Sequence, residues 1–320
     1  MDAEGAATLA ATLKNDSRKY PDRGDPRFIP GGLIFPDLRP GFAIPRGSTV
    51  FTIGSCFARN VEEALIAAGM DVPTARFRAP PEEAPGRPNR ILNQYNPGTM
   101  LACVSGGVEG RRGLYPAPGG KVVDALLATG SRAVTEERAL ARRAEIAALY
   151  QAGLARAGTA IVTLGLIECW YDLEDAIWLN EAPPARFLRA HPGRFAFRRL
   201  GHAACQSLVF DLVGRLRSGG ARNVVLTVSP VPLQLTFTGG DAVTANAYSK
   251  ALLRVVAEEV AGAFPGVDYF PSYETVTTAG LSAFGEDNVH VRPKVVETVV
   301  ARMLTAYAAA PAEAPLMAEA

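Results

Sequence analysis

Four short runs of this chain are apolar and β-branched almost continuously, with no polar residue at every second place. They are Thr49-Val50-Phe51-Thr52-Ile53, Thr159-Ala160-Ile161-Val162-Thr163-Leu164, Asn223-Val224-Val225-Leu226-Thr227-Val228 and Val267-Asp268-Tyr269-Phe270. A strand with one wet face alternates. A strand that does not alternate is covered on both faces, which is the condition of strands in a parallel sheet. Helical periodicity lies between the runs: Phe57, Val61, Leu65 and Ile66 share one face, and further helices are expected over 136–157, 202–216, 243–263 and 293–307. Pro293 suits a first helical position. Strand and helix in alternation predict an α/β fold with helices on both faces of the sheet. Reactive groups in such sheets gather at the carboxyl ends of the strands, which puts Ser55, Glu168, Ser229 and the loop before His290 at one rim.

The rest of the chain divides around this core. Residues 1–48 read as an irregular segment wrapping the surface, 49–309 as the main domain, and 310–320 as a flexible tail. Insertions are expected around 75–135 and 170–200, the second rich in aromatics such as Trp170, Trp178 and Phe195. Asp71-Val72-Pro73-Thr74 is short and reads as the beginning of a second strand or an edge. No internal repeat is visible.

Composition removes several functional classes. Lys and Arg number 33 against 32 Asp and Glu, so no basic excess or basic stripe marks a nucleic-acid surface. Four dispersed cysteines form no CxxC pair, and three histidines offer no metal-ligand spacing, so neither a metal nor an organic cofactor is expected. The N-terminus lacks a basic leader followed by an apolar core, and no apolar run is long enough to cross a bilayer. A cytoplasmic protein with free thiols and no membrane insertion is the expectation.

Two segments carry the chemistry. In Gly54-Ser55-Cys56-Phe57-Ala58-Arg59 a tight turn joins the first strand to a helix. Ser55 there is either an ordinary N-cap or a nucleophile beside the free N–H groups of a helix N-terminus. In Asp287-Asn288-Val289-His290 the spacing lets a carboxylate reach an imidazole on the same loop, fixing its tautomer and stabilising its protonated form. Cys56 is expected to be a small buried thiol rather than a second nucleophile.

These segments resemble the GSCFA family, a branch similar to the SGNH (GDSL-like) hydrolases. Gly54-Ser55-Cys56-Phe57-Ala58 matches the motif that names the family. Tyr95-Asn96-Pro97, Thr163-Leu164-Gly165, Thr227 to Pro232, Tyr248-Ser249-Lys250, Phe270 to Glu274 and Asp287xxHis290 follow in the family's order. The resemblance implies a three-layer α/β/α flavodoxin-like fold with a mainly parallel five-stranded sheet. It also implies Ser55 as nucleophile, His290 as base and Asp287 as its orienting partner. One departure stands out: SGNH enzymes carry a GxND block whose asparagine donates to the oxyanion, and here Ile167 occupies that place in Gly165-Leu166-Ile167-Glu168. The oxyanion hole is therefore expected from the backbone of Ser55 and Cys56 with the Asn96 amide. Glu168 and Trp170 are expected to contact substrate.

The function expected from these residues is a serine esterase acting on acyl esters, O-acetyl groups of a small molecule or glycan foremost. An O-acyltransferase using the same triad is one alternative. A non-catalytic binding protein with a degenerate oxyanion hole is the other.

Overall fold

The computed structural model describes residues 4–29, 31–84 and 86–308. Its centre is a four-stranded, fully parallel sheet of β1 (Val50–Gly54), β2 (Thr159–Leu164), β3 (Asn223–Val228) and β4 (Val267–Tyr269), side by side in chain order. The register aligns Val50 with Thr159, Thr159 with Asn223, and Val224 with Val267, so the carboxyl ends of β1 to β3 form one continuous edge. Five flanking helices matter here: α1 (Cys56–Ala67), α2 (Glu136–Arg156), α3 (His202–Ser218), α4 (Ala242–Ala263) and α5 (Pro293–Ala308). The ends of α2 to α5 lie within two residues of the sequence expectation.

The strands are apolar throughout because each face of the sheet has its own core. Phe51, Ile53, Val162, Leu164, Leu226 and Val228 pack under α2, α3 and α4. Val50, Ile161 and Val225 point the other way, against Phe57, Val61 and Leu65 of α1 and Val296, Val299 and Met303 of α5. Each such side chain contributes about 1.5–3 kcal/mol on burial, so neither face tolerates a register slip.

The parallel sheet has no fifth strand among the described residues. Asp71 makes a single parallel bridge to Thr49, and Pro73, which has no N–H to donate, begins a 3₁₀ turn (Pro73–Arg76) instead. The insertion expected around 75–135 is also more ordered than its composition suggests. It holds a helix, Pro97–Val104, and an antiparallel ribbon of Leu114–Ala117, Lys121–Asp124 and Ala133–Val134. The second insertion forms another ribbon, Glu168–Asp172 with Ile177–Leu179 and Phe195–Arg199. The two ribbons share a small core of Tyr115, Leu126, Ile177 and Leu179. They are pinned where the Tyr115 hydroxyl donates to buried Asp172 at 2.8 Å, a carboxylate that Arg194 also holds at 2.8 Å.

The N-terminal segment contains a helix, Gly5–Leu13, with no buried residue, and then packs inward. Phe42 meets Tyr307 of α5 with ring centroids 5.1 Å apart, and the Ile44 N–H donates to the Tyr307 carbonyl at 3.2 Å. Residues 310–320, expected as a tail, lie outside the described residues. No helix among the described residues is long and apolar enough to cross a membrane.

Candidate active site

β1 ends at Gly54 with φ +151°, and a Cβ there would stand 2.5 Å from the Thr163 carbonyl oxygen of β2. Only glycine fits, and its turn delivers Ser55 to the N-cap of α1. An N-cap serine ordinarily turns its hydroxyl onto the helix N–H groups. Ser55 makes no such bond; its hydroxyl donates to Ser229 Oγ at 3.2 Å, at the end of β3. The first-turn N–H groups of α1 therefore have no side-chain cap, beside a hydroxyl that is free of capping duty. Ser229 Oγ also accepts from the Val231 N–H at 3.3 Å. With both acceptor sites taken, its own proton is left to donate.

The loop before α5 lines the same cleft. Asp287 Oδ2 lies 2.5 Å from His290 Nδ1, while Oδ1 accepts the N–H groups of Val289 and His290 at 3.0 Å each. The His290 hydrogen bond and then the two backbone donors hold the Asp287 carboxyl below the usual carboxylate range. Nδ1 is thereby fixed toward the carboxylate, and Nε2 is the nitrogen left for proton transfer. Ser55 and His290 line one cleft of about 890 Å³. No hydrogen bond joins them among the described residues; the serine proton rests on Ser229.

The other expected site residues divide. Cys56, first residue of α1, borders the cleft, and burial pushes its thiol up, outweighing the lowering effect of the Phe57 N–H and the Lys250 charge. Its sulfur stays protonated, and the backbone of the helix start is what it offers. Asn96 is a correction. Its Oδ1 caps the Pro97–Val104 helix by accepting from the Thr99 N–H at 3.0 Å, and its Nδ2 donates to the Leu179 carbonyl at 3.0 Å. Both ends of the amide are occupied, and Asn96 does not line the cleft. Glu168 and Trp170 also stand outside the cleft lining. Glu168 accepts from the Thr236 hydroxyl and the Phe237 N–H, and Trp170 packs edge-on against Phe237 at 5.2 Å. They hold the loop that carries Phe237 into the cleft wall and do not line the cleft themselves. Ile167 is fully buried in the core of its sheet face.

Several cleft residues were not singled out from sequence. Asn93 lines the cleft with its Oδ1 unpartnered and its Nδ2 3.4 Å from the Tyr95 hydroxyl. Arg59, one turn after Ser55, is buried and pairs with Glu62 at 2.7 Å, leaving Nε and Nη2 without a partner. Its i+4 spacing from Ser55 was the available signal, since the two share a helix face. Glu181 closes the far side, and burial raises its carboxyl despite N–H donors from Gly130 and Ser131. Among the described residues no three His, Cys, Asp or Glu side chains converge as a metal site.

The arrangement can do acid–base and nucleophilic chemistry. A hydroxyl and an oriented imidazole face one space, with helix N–H groups adjacent to receive negative charge. No curated protein matches the sequence. The model of the GSCFA family matches residues 49–303, a span from the edge of β1 into α5 that includes Ser55, Asp287 and His290, and the chain belongs to the GSCFA family.

Proposed function

We propose that the protein is a serine esterase of the SGNH (GDSL-like) type. Ser55 attacks the ester carbonyl, His290 takes its proton, and Asp287 steadies the imidazolium. The N–H groups at the start of α1 receive the oxyanion. One observation carries this reading: an N-cap serine whose hydroxyl does not cap its helix opens into the same cleft as a histidine already fixed by a carboxylate. The Ser55 hydroxyl donates to Ser229, so proton transfer to His290 requires that this hydrogen bond give way when substrate binds.

The lining supports one substrate class. Val231, Leu233 and Phe237 form an apolar wall, and Asn93, Tyr95 and Arg90 a polar one, which suits an acyl group on a hydroxylated acceptor such as a sugar. The cleft volume of about 890 Å³ exceeds what an acetyl group needs, which supports acyl transfer to a bound acceptor as the second reading. Four unpaired cysteines are consistent with work in the reducing cytoplasm.

Turnover of p-nitrophenyl acetate tests the proposal. A burst that is lost in Ser55→Ala and in His290→Ala is the expected result. Equal turnover in both variants and the parent refutes it. Acetyl label moving to a sugar faster than to water selects the transferase.

A further inference from the structure

Tyr248-Ser249-Lys250 on α4 has no part in the chemistry just described, yet Lys250 is fully buried. Among the described residues it has no carboxylate partner; its ammonium donates to one group, the Gly165 carbonyl, at 2.8 Å. Next to it, the Ser249 hydroxyl accepts the Ile167 N–H at 3.3 Å. Two consecutive side chains thus grip the first and third residues of the turn that follows β2. The middle residue is fixed from the other side, its Leu166 N–H donating to the Tyr95 carbonyl at 2.8 Å.

This turn is the floor under the nucleophile. Gly165 and Leu166 line the cleft, and a Cβ on Gly165 would lie 3.5 Å from Ser55 Cβ and 2.7 Å from the Tyr95 oxygen. An ammonium buried without a counter-ion is costly, and a neutral side chain of the same length would fill the space more cheaply. Its position beneath the cleft gives a reason for keeping it.

We propose that Ser249 and Lys250 are positioning residues for Ser55, clamping the Gly165–Ile167 turn so that its backbone stays pressed against the nucleophile. The Lys250 charge also reaches the start of α1, where it lowers the Cys56 thiol against the larger effect of burial. Burial pulls Lys250 down to about 7, so the clamp carries only part of a full charge near neutrality. The catalytic part of this inference rests on the esterase reading, while the clamp itself does not.

The test uses Lys250→Met, which keeps length and removes the donor, and Ser249→Ala as a milder second variant. Amide exchange at Leu166 and Ile167 is expected to quicken by about tenfold or more in both, with β1 and β3 unchanged. With p-nitrophenyl acetate, kcat is expected to fall by roughly 10- to 100-fold in Lys250→Met at unaltered KM, the pattern of a displaced nucleophile. If Lys250→Met does not fold, Ser249→Ala decides. Faster exchange without any parental turnover removes the esterase and leaves the clamp. Parental turnover with unchanged exchange and kcat in the folded variants overturns the clamp and leaves the esterase.

Discussion

Replacing Gly54 by alanine tests the local physics on which the placement of Ser55 depends. Two costs add. The φ of +151° lies in a region essentially reserved for glycine, where another residue costs about 1–3 kcal/mol. The new methyl would also stand 2.5 Å from the Thr163 carbonyl oxygen and 2.7 Å from Thr163 Cβ, both belonging to the adjacent strand. These atoms cannot swing aside as a long side chain would, so relief requires parting β1 from β2, an overpacking cost of about 1–3 kcal/mol more. The sum, about 2–6 kcal/mol, is a large share of the 5–15 kcal/mol that holds a typical domain together. Urea unfolding followed by far-ultraviolet circular dichroism measures it. Gly214→Ala is the internal control: it sits inside α3 with nothing within 4 Å of its added Cβ, and a gain of about 0.5–1 kcal/mol is expected. A loss below about 1 kcal/mol in Gly54→Ala would show that the strand end is not constrained as argued.

Asn96→Ala removes a helix cap and the donor to Leu179, so stability should fall by about 2–4 kcal/mol while turnover per folded molecule stays within about twofold; a selective loss of kcat would return Asn96 to the oxyanion. Glu83→Gln strips buried Arg142 of its nearest carboxylate, 2.9 Å away, and should cost about 3–5 kcal/mol in denaturant; a cost under about 1 kcal/mol would show that Asp124 alone suffices. Lys250 sets a pH window. Its folded value of about 7 lies below the ordinary 10.5, so between these limits the folded chain binds fewer protons than the unfolded one, and its stability gains as pH rises. The stability of Lys250→Met relative to the parent should accordingly be greatest at pH 7 and below and decline by several kcal/mol toward pH 10, as thermal melts across that range would reveal; a pH-independent difference contradicts the burial argument.

The sheet and its helices were legible because burial on both faces writes itself into unbroken apolar runs and into the 3.6-residue period of α2 to α5. The ribbons at 114–134 and 168–199 were not, since strands of two to five residues with Pro116 among them leave too short a pattern to distinguish from loop. At the site, the Asp287–His290 contact could be anticipated because it lies within one loop, and the place of Ser55 because it follows the first strand directly. Asn96 lies outside the cleft lining for a reason the sequence hides. Its partners Thr99 and Leu179 lie on different elements, and the second is supplied by an insertion whose fold the sequence does not declare. Ser229 stood at the expected rim, but its bond to Ser55 spans 174 positions and has no local signature.

The carboxylate and imidazole at 287 and 290 belong to a single turn, with the same aspartate gathering two backbone N–H groups of that turn. The oriented imidazole is therefore a product of local geometry, whereas the Ser55–Ser229 hydrogen bond needs β1, β2 and β3 aligned. Swapping the four-residue loop among homologous scaffolds should carry the oriented imidazole with it, and its placement toward Ser55 would then depend on how α5 is seated against Phe42 and Ile44.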